Sequence, residues 1–92
     1  MVIKFRKDAM KFLEKANLED STRIREKLNE LLTFIEEQGI IPFMELEIKN
    51  MRGNWEGFYR LRIGKLRIVF RVDFDSDEIE IYTIGSRGDV YK

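Results

Sequence analysis

Apolar and polar residues alternate along residues 57–72, the most regular stretch of the chain. Gly64 and Lys65 interrupt the alternation, and a two-residue connection with glycine first is typical of the type II′ turn of a β-hairpin. The turn fixes the register of the two strands, so one apolar face is predicted to carry the pairs Ile63–Leu66, Leu61–Ile68 and Tyr59–Phe70. On the other face, the same register sets Arg62 opposite Arg67 and Arg60 opposite Val69.

Helical periodicity precedes the hairpin. Residues 2–5 are β-prone, and Asp8 is the predicted cap of a short helix that buries Phe12, Leu13 and Ala16. A longer helix is predicted to begin at Asp20 or Ser21 and to end at Gly39, ahead of Pro42. Its apolar positions recur about every 3.6 residues, at Ile24, Leu28, Leu31, Leu32 and Ile35.

The remaining segments read as strands and a tail. Residues 43–49 and 78–84 are predicted strands, with turn residues at 75–77, and the tail from Gly85 to Lys92 has no periodicity. The order is therefore a strand, two helices and an antiparallel meander. This order predicts a single α+β domain over residues 1–92, with helices on one face of the sheet and the arginines on the uncovered face.

Composition excludes several kinds of chemistry. The 92 residues include no cysteine and no histidine, so thiolate chemistry and zinc sites are not expected, and no metal or cofactor is predicted. The acidic residues between 73 and 80 lack the glycine and distal glutamate of a calcium loop and read as a solvated turn. No apolar run approaches the roughly 18 residues of a membrane span, and the N-terminus lacks a signal peptide, so a cytoplasmic protein is expected.

Charge is balanced overall but segregated along the chain. Seventeen basic side chains match 17 acidic ones. Between residues 51 and 72 the only acid is Glu56, whereas the basic residues there are Arg52, Arg60, Arg62, Lys65, Arg67 and Arg71. This distribution predicts a basic surface around the hairpin.

The hairpin arginines are the strongest chemical signal. Like charges directly across a strand pair are unfavourable by about 0.2–1 kcal/mol, so Arg62 opposite Arg67 indicates that an anion occupies this face. A guanidinium grips phosphate oxygens with its planar fork. The competing interpretation is a sheet face that carries arginine for solubility. Trp55 leaves two interpretations open as well, since it can stack on a nucleobase or pack within the fold.

Three segments of the chain resemble the RelE group of the RelE/ParE toxin superfamily, the toxins of toxin–antitoxin pairs. They are residues 46–53 (LEIKNMRG), 59–70 (YRLRIGKLRIVF) and 84–91 (IGSRGDVY). The resemblance covers nearly the whole chain. It implies a RelE-like fold, in which an N-terminal strand and a helical hairpin pack on a twisted antiparallel sheet. It also implies a ribosome-dependent endoribonuclease that cuts mRNA in the decoding site, and a cognate antitoxin that neutralises it.

The same resemblance assigns roles to individual residues. Arg60, Arg62, Arg67, Arg87 and Tyr91 match catalytic positions of the family, and Arg52, Lys65 and Arg71 are expected to bind RNA. The reaction is attack of a ribose 2′-hydroxyl on the adjacent phosphorus without a metal. The arginines would supply charge, and Tyr91 would transfer a proton or stack on a base. The tail is long enough for this, because the stretch from Gly85 to Tyr91 can extend about 20 Å.

Two other functions remain open on the same fold. One is a ParE-like toxin that acts on DNA gyrase without cleaving RNA. The other is a module that binds anions or an antitoxin and has lost catalytic activity.

Overall fold

Five strands form one sheet in the order β1-β5-β4-β3-β2, and two helices cover one of its faces. The structure is a computed structural model in which residues 1–86 are described. The elements are β1 (Val2–Phe5), α1 (Lys7–Lys15), α2 (Leu18–Gln38), β2 (Ile48–Asn50), a 3-10 turn (Gly53–Trp55), β3 (Tyr59–Ile63), β4 (Leu66–Asp73) and β5 (Glu78–Ser86).

The predicted α+β class is confirmed, and the structure adds the pairing of the first strand. Strands β2 to β5 form the antiparallel meander, whereas β1 pairs parallel to β5, with Ile3 beside Ile79. The complete sheet is therefore mixed. Strand β5 also runs two residues further than predicted, through Gly85 and Ser86, because both residues continue the ladder with β4.

The helix caps differ from the predicted ones. The first helix begins at Lys7 with no side-chain cap, and Asp8 lies in its first turn, where a carboxylate complements the helix dipole. The second helix begins at Leu18, because the Asn17 side chain accepts a hydrogen bond from the Asp20 backbone N–H at 2.8 Å. The predictions of Asp8, and of Asp20 or Ser21, as caps are thus wrong. The predicted stop at Gly39 is confirmed by its φ of 71° and its bond to the Ile35 carbonyl.

The predicted strand at residues 43–49 is mostly a turn. Only Ile48–Asn50 pairs with β3. In the residues before β2 the backbone makes local hydrogen bonds. The Leu46 N–H donates to the Pro42 carbonyl, and the Ile48 N–H donates to the Leu46 carbonyl. The curled segment that results forms a wall beside the last turns of α2.

The core lies between the helices and the sheet. Leu61, Ile68 and Phe70 are fully buried there, and Tyr59 packs against them, as the alternation predicts. The helices contribute the buried residues Ala9, Ile24, Leu28, Leu31 and Ile35. Within residues 1–86, neither helix has the length and apolar character needed to cross a membrane.

The turn between β4 and β5 explains the acidic stretch of the sequence. The Asp73 carboxylate accepts hydrogen bonds from the backbone N–H groups of Asp75 and Ser76 at 3.0 and 3.1 Å. Hydrogen bonding with Ser76 is the main reason that the pKa of Asp73 lies below its usual value. These residues therefore build the turn.

Candidate functional site

The hairpin has the register that the alternation predicts. Arg62 lies opposite Arg67 and Arg60 lies opposite Val69, on the face away from the helices. Gly64 has a φ of 58°, whereas Lys65 does not have a positive φ. This combination fits a type II′ turn rather than type I′. The turn thus places three guanidiniums along one side of two short strands.

Backbone carbonyls hold two of these guanidiniums together. Arg62 donates through Nε to the Gly64 carbonyl at 3.3 Å, and Arg67 donates to the same carbonyl at 3.5 Å and to that of Leu66 at 3.3 Å. Glu47 adds a carboxylate 3.5 Å from Arg62. The oxygens of the protein therefore offset part of the repulsion between the opposed arginines.

A fourth guanidinium reaches the same turn from α2. A Cβ at Gly64 would lie 2.6 Å from the Nη2 atom of Arg23, so glycine suits the positive φ and also leaves room for this guanidinium. Sequence reasoning missed Arg23, because it occupies an exposed helix position with no periodic signal. The contact between Gly64 and Arg23 can be recognised only when the position of α2 is known.

A concavity of about 400 Å³ lies beside the hairpin. It brings together Arg60, Arg62 and Arg67, and its wall also contains Glu47 and Lys49. Its other lining residues are Phe43, Met44, Leu46 and Ile48. Glu47 and Lys49 were not predicted as site residues, and Lys49 joins the arginines because β2 pairs it with Arg60. We call this concavity the arginine site.

The three predicted RNA-binding residues lie outside this concavity. Arg52 is exposed just before the 3-10 turn, and Lys65 is exposed at the tip of the hairpin. Arg71 lies four residues beyond Arg67 on β4, about 13 Å along the strand. It donates to Glu80 at 2.8 Å, a carboxylate that also pairs with Arg6.

Arg71 belongs to an aromatic cluster that the sequence did not predict. Trp55, Phe58 and Tyr82 meet edge to face, with ring centroids 5.1–5.4 Å apart. Arg71 lies over Phe58 and Arg6 over Tyr82, with the guanidinium carbons 5.9 and 4.9 Å from the ring centroids. Of the two interpretations of Trp55, packing within the fold is the one observed.

Two predicted catalytic residues, Arg87 and Tyr91, lie outside the described residues. The described part of β5 nevertheless shows where the tail begins. Ser86 is paired with Leu66 and Gly85 with Arg67, so the last described residues of β5 lie beside the arginine site. The five residues from Ser86 to Tyr91 span about 18 Å at most.

The arrangement is suited to binding an anion. Guanidiniums bind phosphate oxygens through charge-assisted hydrogen bonds and keep their charge at any physiological pH. Within residues 1–86, the groups lining the concavity that can exchange a proton are Glu47 and Lys49. The described site therefore combines three guanidiniums with one carboxylate and one amine.

Several solved structures share this fold at low sequence identity. The RelE–RelB complex of Pyrococcus horikoshii matches with a TM-score of 0.70 and 22% identity, over 96% of both chains. The intact RelBE toxin–antitoxin complex of Escherichia coli matches with a TM-score of 0.69 and 18% identity, over 92% of this chain and 94% of that one. The YoeB/ParE toxin of Agrobacterium tumefaciens matches with a TM-score of 0.69 and 20% identity, over 95% of this chain and 99% of that one.

No curated protein matches the sequence. The family described as the ParE toxin of the type II toxin–antitoxin system parDE matches residues 3–91, nearly the whole chain. The chain has the RelE-like fold of the solved toxins and the family signature across its length. It therefore belongs to the RelE/ParE superfamily of type II toxin–antitoxin toxins.

Proposed function

We propose that the protein is a ribosome-dependent endoribonuclease that cleaves mRNA in the decoding site. The observation that carries the proposal is the arginine site, where Arg60, Arg62 and Arg67 line one concavity beside the start of the C-terminal tail. A cluster of guanidiniums is the expected means of binding a phosphodiester and stabilising the charge that builds up on it during cleavage.

The reaction that fits these groups is an intramolecular transfer. The 2′-hydroxyl of a ribose attacks the adjacent phosphorus, the bond to the 5′-oxygen breaks, and the products are a 2′,3′-cyclic phosphate and a free 5′-hydroxyl. The hydroxyl loses a proton and the leaving oxygen gains one, so atoms and charge balance. Arg60, Arg62, Arg67 and Arg87 stabilise the negative charge on the pentavalent phosphorus, and the proposal uses no metal.

Proton transfer needs a group other than arginine. Tyr91 is one candidate, because its phenol can donate or accept a proton and the tail begins beside the site. Glu47 is a second, because its carboxylate lies within the concavity, 3.5 Å from Arg62. In this assignment Glu47 accepts the proton of the attacking hydroxyl, and Tyr91 either protonates the leaving oxygen or stacks on a base.

The remaining basic residues extend the contact surface. Arg52, Lys65 and Arg71 bind the phosphates of mRNA or ribosomal RNA around the site, which adds salt-dependent affinity. The partners of the protein are accordingly the ribosome, its mRNA and a cognate antitoxin, and the place of action is the cytoplasm. The antitoxin is inferred from the toxin–antitoxin family and from the complexes named above.

A translation reaction with a defined message tests this proposal. RNA ends are mapped by primer extension for the wild type, Arg67→Ala, Tyr91→Phe and Glu47→Gln. Loss of one charge-assisted contact is expected to slow cleavage about 10- to 100-fold, since such bonds contribute about 1.5–3 kcal/mol. Arg25→Ala is the matched control, because this exposed arginine of α2 lies outside the arginine site. Absence of cuts with the wild type would refute the proposal.

A ParE-like gyrase inhibitor is the second candidate function. The matching family is that of ParE toxins, which supports this reading of the same fold. A DNA supercoiling assay separates the two functions, since inhibition of gyrase with messages left intact would favour it. If Arg60→Ala and Tyr91→Phe change neither toxicity nor RNA cleavage, the site binds an anion or an antitoxin without catalysis.

A further inference from the structure

The arginine site has an apolar wall as well as its guanidiniums. Phe43 and Met44 line the same concavity as Arg60, Arg62 and Arg67. Phe43 is 40% exposed and Met44 is 91% exposed. Single exposed apolar side chains need no explanation, but these two are neighbours in the chain and border a concavity that also contains three cations. We call Phe43 and Met44 the apolar wall.

The surrounding backbone holds the apolar wall in place. Pro42, which precedes it, is fully buried, and Leu46, which follows it, is buried as well. The Phe43 N–H donates to the Ile41 carbonyl at 2.9 Å, and the Leu46 N–H donates to the Pro42 carbonyl at 3.1 Å. Buried residues on both sides and local hydrogen bonds therefore fix the wall relative to the sheet before a ligand binds.

A contact with the core orients the Phe43 ring. It meets the Tyr59 ring edge to face, with the centroids 5.8 Å apart, and Tyr59 in turn packs on Phe70. The fold thus positions Phe43 and leaves part of its surface in the site. Met44 is different, because an exposure of 91% means that packing within residues 1–86 does not account for an apolar side chain at this position.

A ligand that suits both parts of the concavity carries an anionic group beside a flat apolar one. A nucleotide has this chemistry, because its phosphate is charged and its base has a π-face. Guanidiniums bind the phosphate, a phenylalanine ring stacks on the base, and the polarisable thioether of methionine packs well against aromatic rings. The volume of about 400 Å³ lies within the range of about 300–1,000 Å³ that is typical of small-ligand sites.

We propose that the apolar wall binds the base of a message nucleotide beside the scissile phosphate, while Arg60, Arg62 and Arg67 hold that phosphate. The inference rests on the proposed RNA cleavage and adds two residues that contact the base. This contact is the same in bound and in reacting RNA, so it strengthens binding and leaves the chemical step unchanged. Stacking accepts any base, so the wall detects the presence of a base and not its identity.

The test uses ribosomes that hold a defined message with a vacant decoding site. The normal message is compared with two abasic messages, each of which lacks the base on one side of the bond that the wild type cuts. The cleavage rate is measured against toxin concentration for the wild type, Phe43→Ala, Met44→Ala and Phe43→Tyr. Phe74→Ala and Met10→Ala are the matched controls, because they remove exposed side chains of the same two types outside the arginine site.

With the normal message, Phe43→Ala is expected to raise the half-saturating toxin concentration about tenfold and Met44→Ala about threefold, while the maximal rate stays within about twofold. Phe43→Tyr keeps the ring and stays within about twofold, as do both controls. With one of the abasic messages the wild type itself binds more weakly, and Phe43→Ala has no further effect because the stacked base is missing. A variant that only loosened the fold would bind all three messages more weakly by the same factor.

Two results would overturn the inference, and they differ in meaning. If the wild type cleaves but Phe43→Ala and Met44→Ala weaken binding of all three messages equally, or of none, the wall does not contact a base of the message. Equal weakening would then assign it a contact with ribosomal RNA or a structural role, while RNA cleavage stands. If the wild type does not cleave, the proposed function fails and the base contact fails with it.

Discussion

The substitution Gly64→Ala distinguishes the effect of backbone strain on stability from the effect of site geometry on RNA cleavage. Gly64 has a φ of 58°, a conformation that costs an L-residue about 1–2 kcal/mol. The added Cβ would also lie 2.6 Å from Nη2 of Arg23. This atom is the far end of a flexible side chain, so Arg23 moves away at little cost in stability. For a domain of this size, each kcal/mol lowers Tm by about 4–8 °C.

Gly39→Ala is the matched control for this substitution. Gly39 has a similar φ of 71°, but nothing lies within 4 Å of its Cβ position. Both variants should therefore lose a similar amount of thermal stability. Only Gly64→Ala displaces Arg23 and disturbs the carbonyl that Arg62 and Arg67 share, so only it should slow RNA cleavage, about tenfold.

The assays are thermal denaturation followed by circular dichroism and primer-extension mapping of a translated message. A double-mutant cycle with Arg23→Ala then measures whether the two positions act together. In the Arg23→Ala background, Gly64→Ala should slow cleavage much less than it does in the wild type. Equal cleavage by the Gly64→Ala and Gly39→Ala variants, or fully additive effects in the cycle, would show that Arg23 plays no part in the site.

Three further predictions concern stability. Asn17→Ala should cost about 0.5–2 kcal/mol in urea denaturation, because it removes the cap of α2, whereas Ser21→Ala should change little. Asp73→Asn keeps the acceptor of the turn and removes its charge. Since the pKa of Asp73 is lowered on folding, the stabilisation from its charge is present above the usual pKa of an aspartate, and the difference from the wild type should shrink as pH falls below that range. A difference that stays constant as pH falls would contradict this. Glu80→Gln breaks both ion pairs of the aromatic cluster and should cost about 1 kcal/mol or less, with the loss fading in high salt.

The hairpin and the second helix could be predicted because their signals are local. The glycine-first turn and the strict alternation allow one register only, since a slip of one residue would expose Leu61, Ile68 and Phe70. The stop of α2 follows in the same way from Gly39. The start of α2 was predicted wrongly, because Asn17, Asp20 and Ser21 can all cap a helix, and only the surrounding chain selects one of them.

Other features depend on contacts between distant segments. Glu47 lies at the site because its carbonyl accepts the Arg62 N–H at 2.9 Å, and Lys49 enters it through its pairing with Arg60. Arg23 reaches Gly64 only because α2 packs over the sheet. Periodicity reports which face of its own element a residue lies on, and it carries no information on which other element that face meets.

The sequence by itself determined the α+β class, the apolar core face and the row of Arg60, Arg62 and Arg67, since these follow from turn chemistry and alternation within one hairpin. Only the tertiary structure decided which side chains join that row. It placed Arg71 in an aromatic cluster with Glu80 and brought Arg23 to the turn. The physical reason is range: a turn fixes its two strands over a few residues, whereas a site is assembled by packing between elements far apart in the chain.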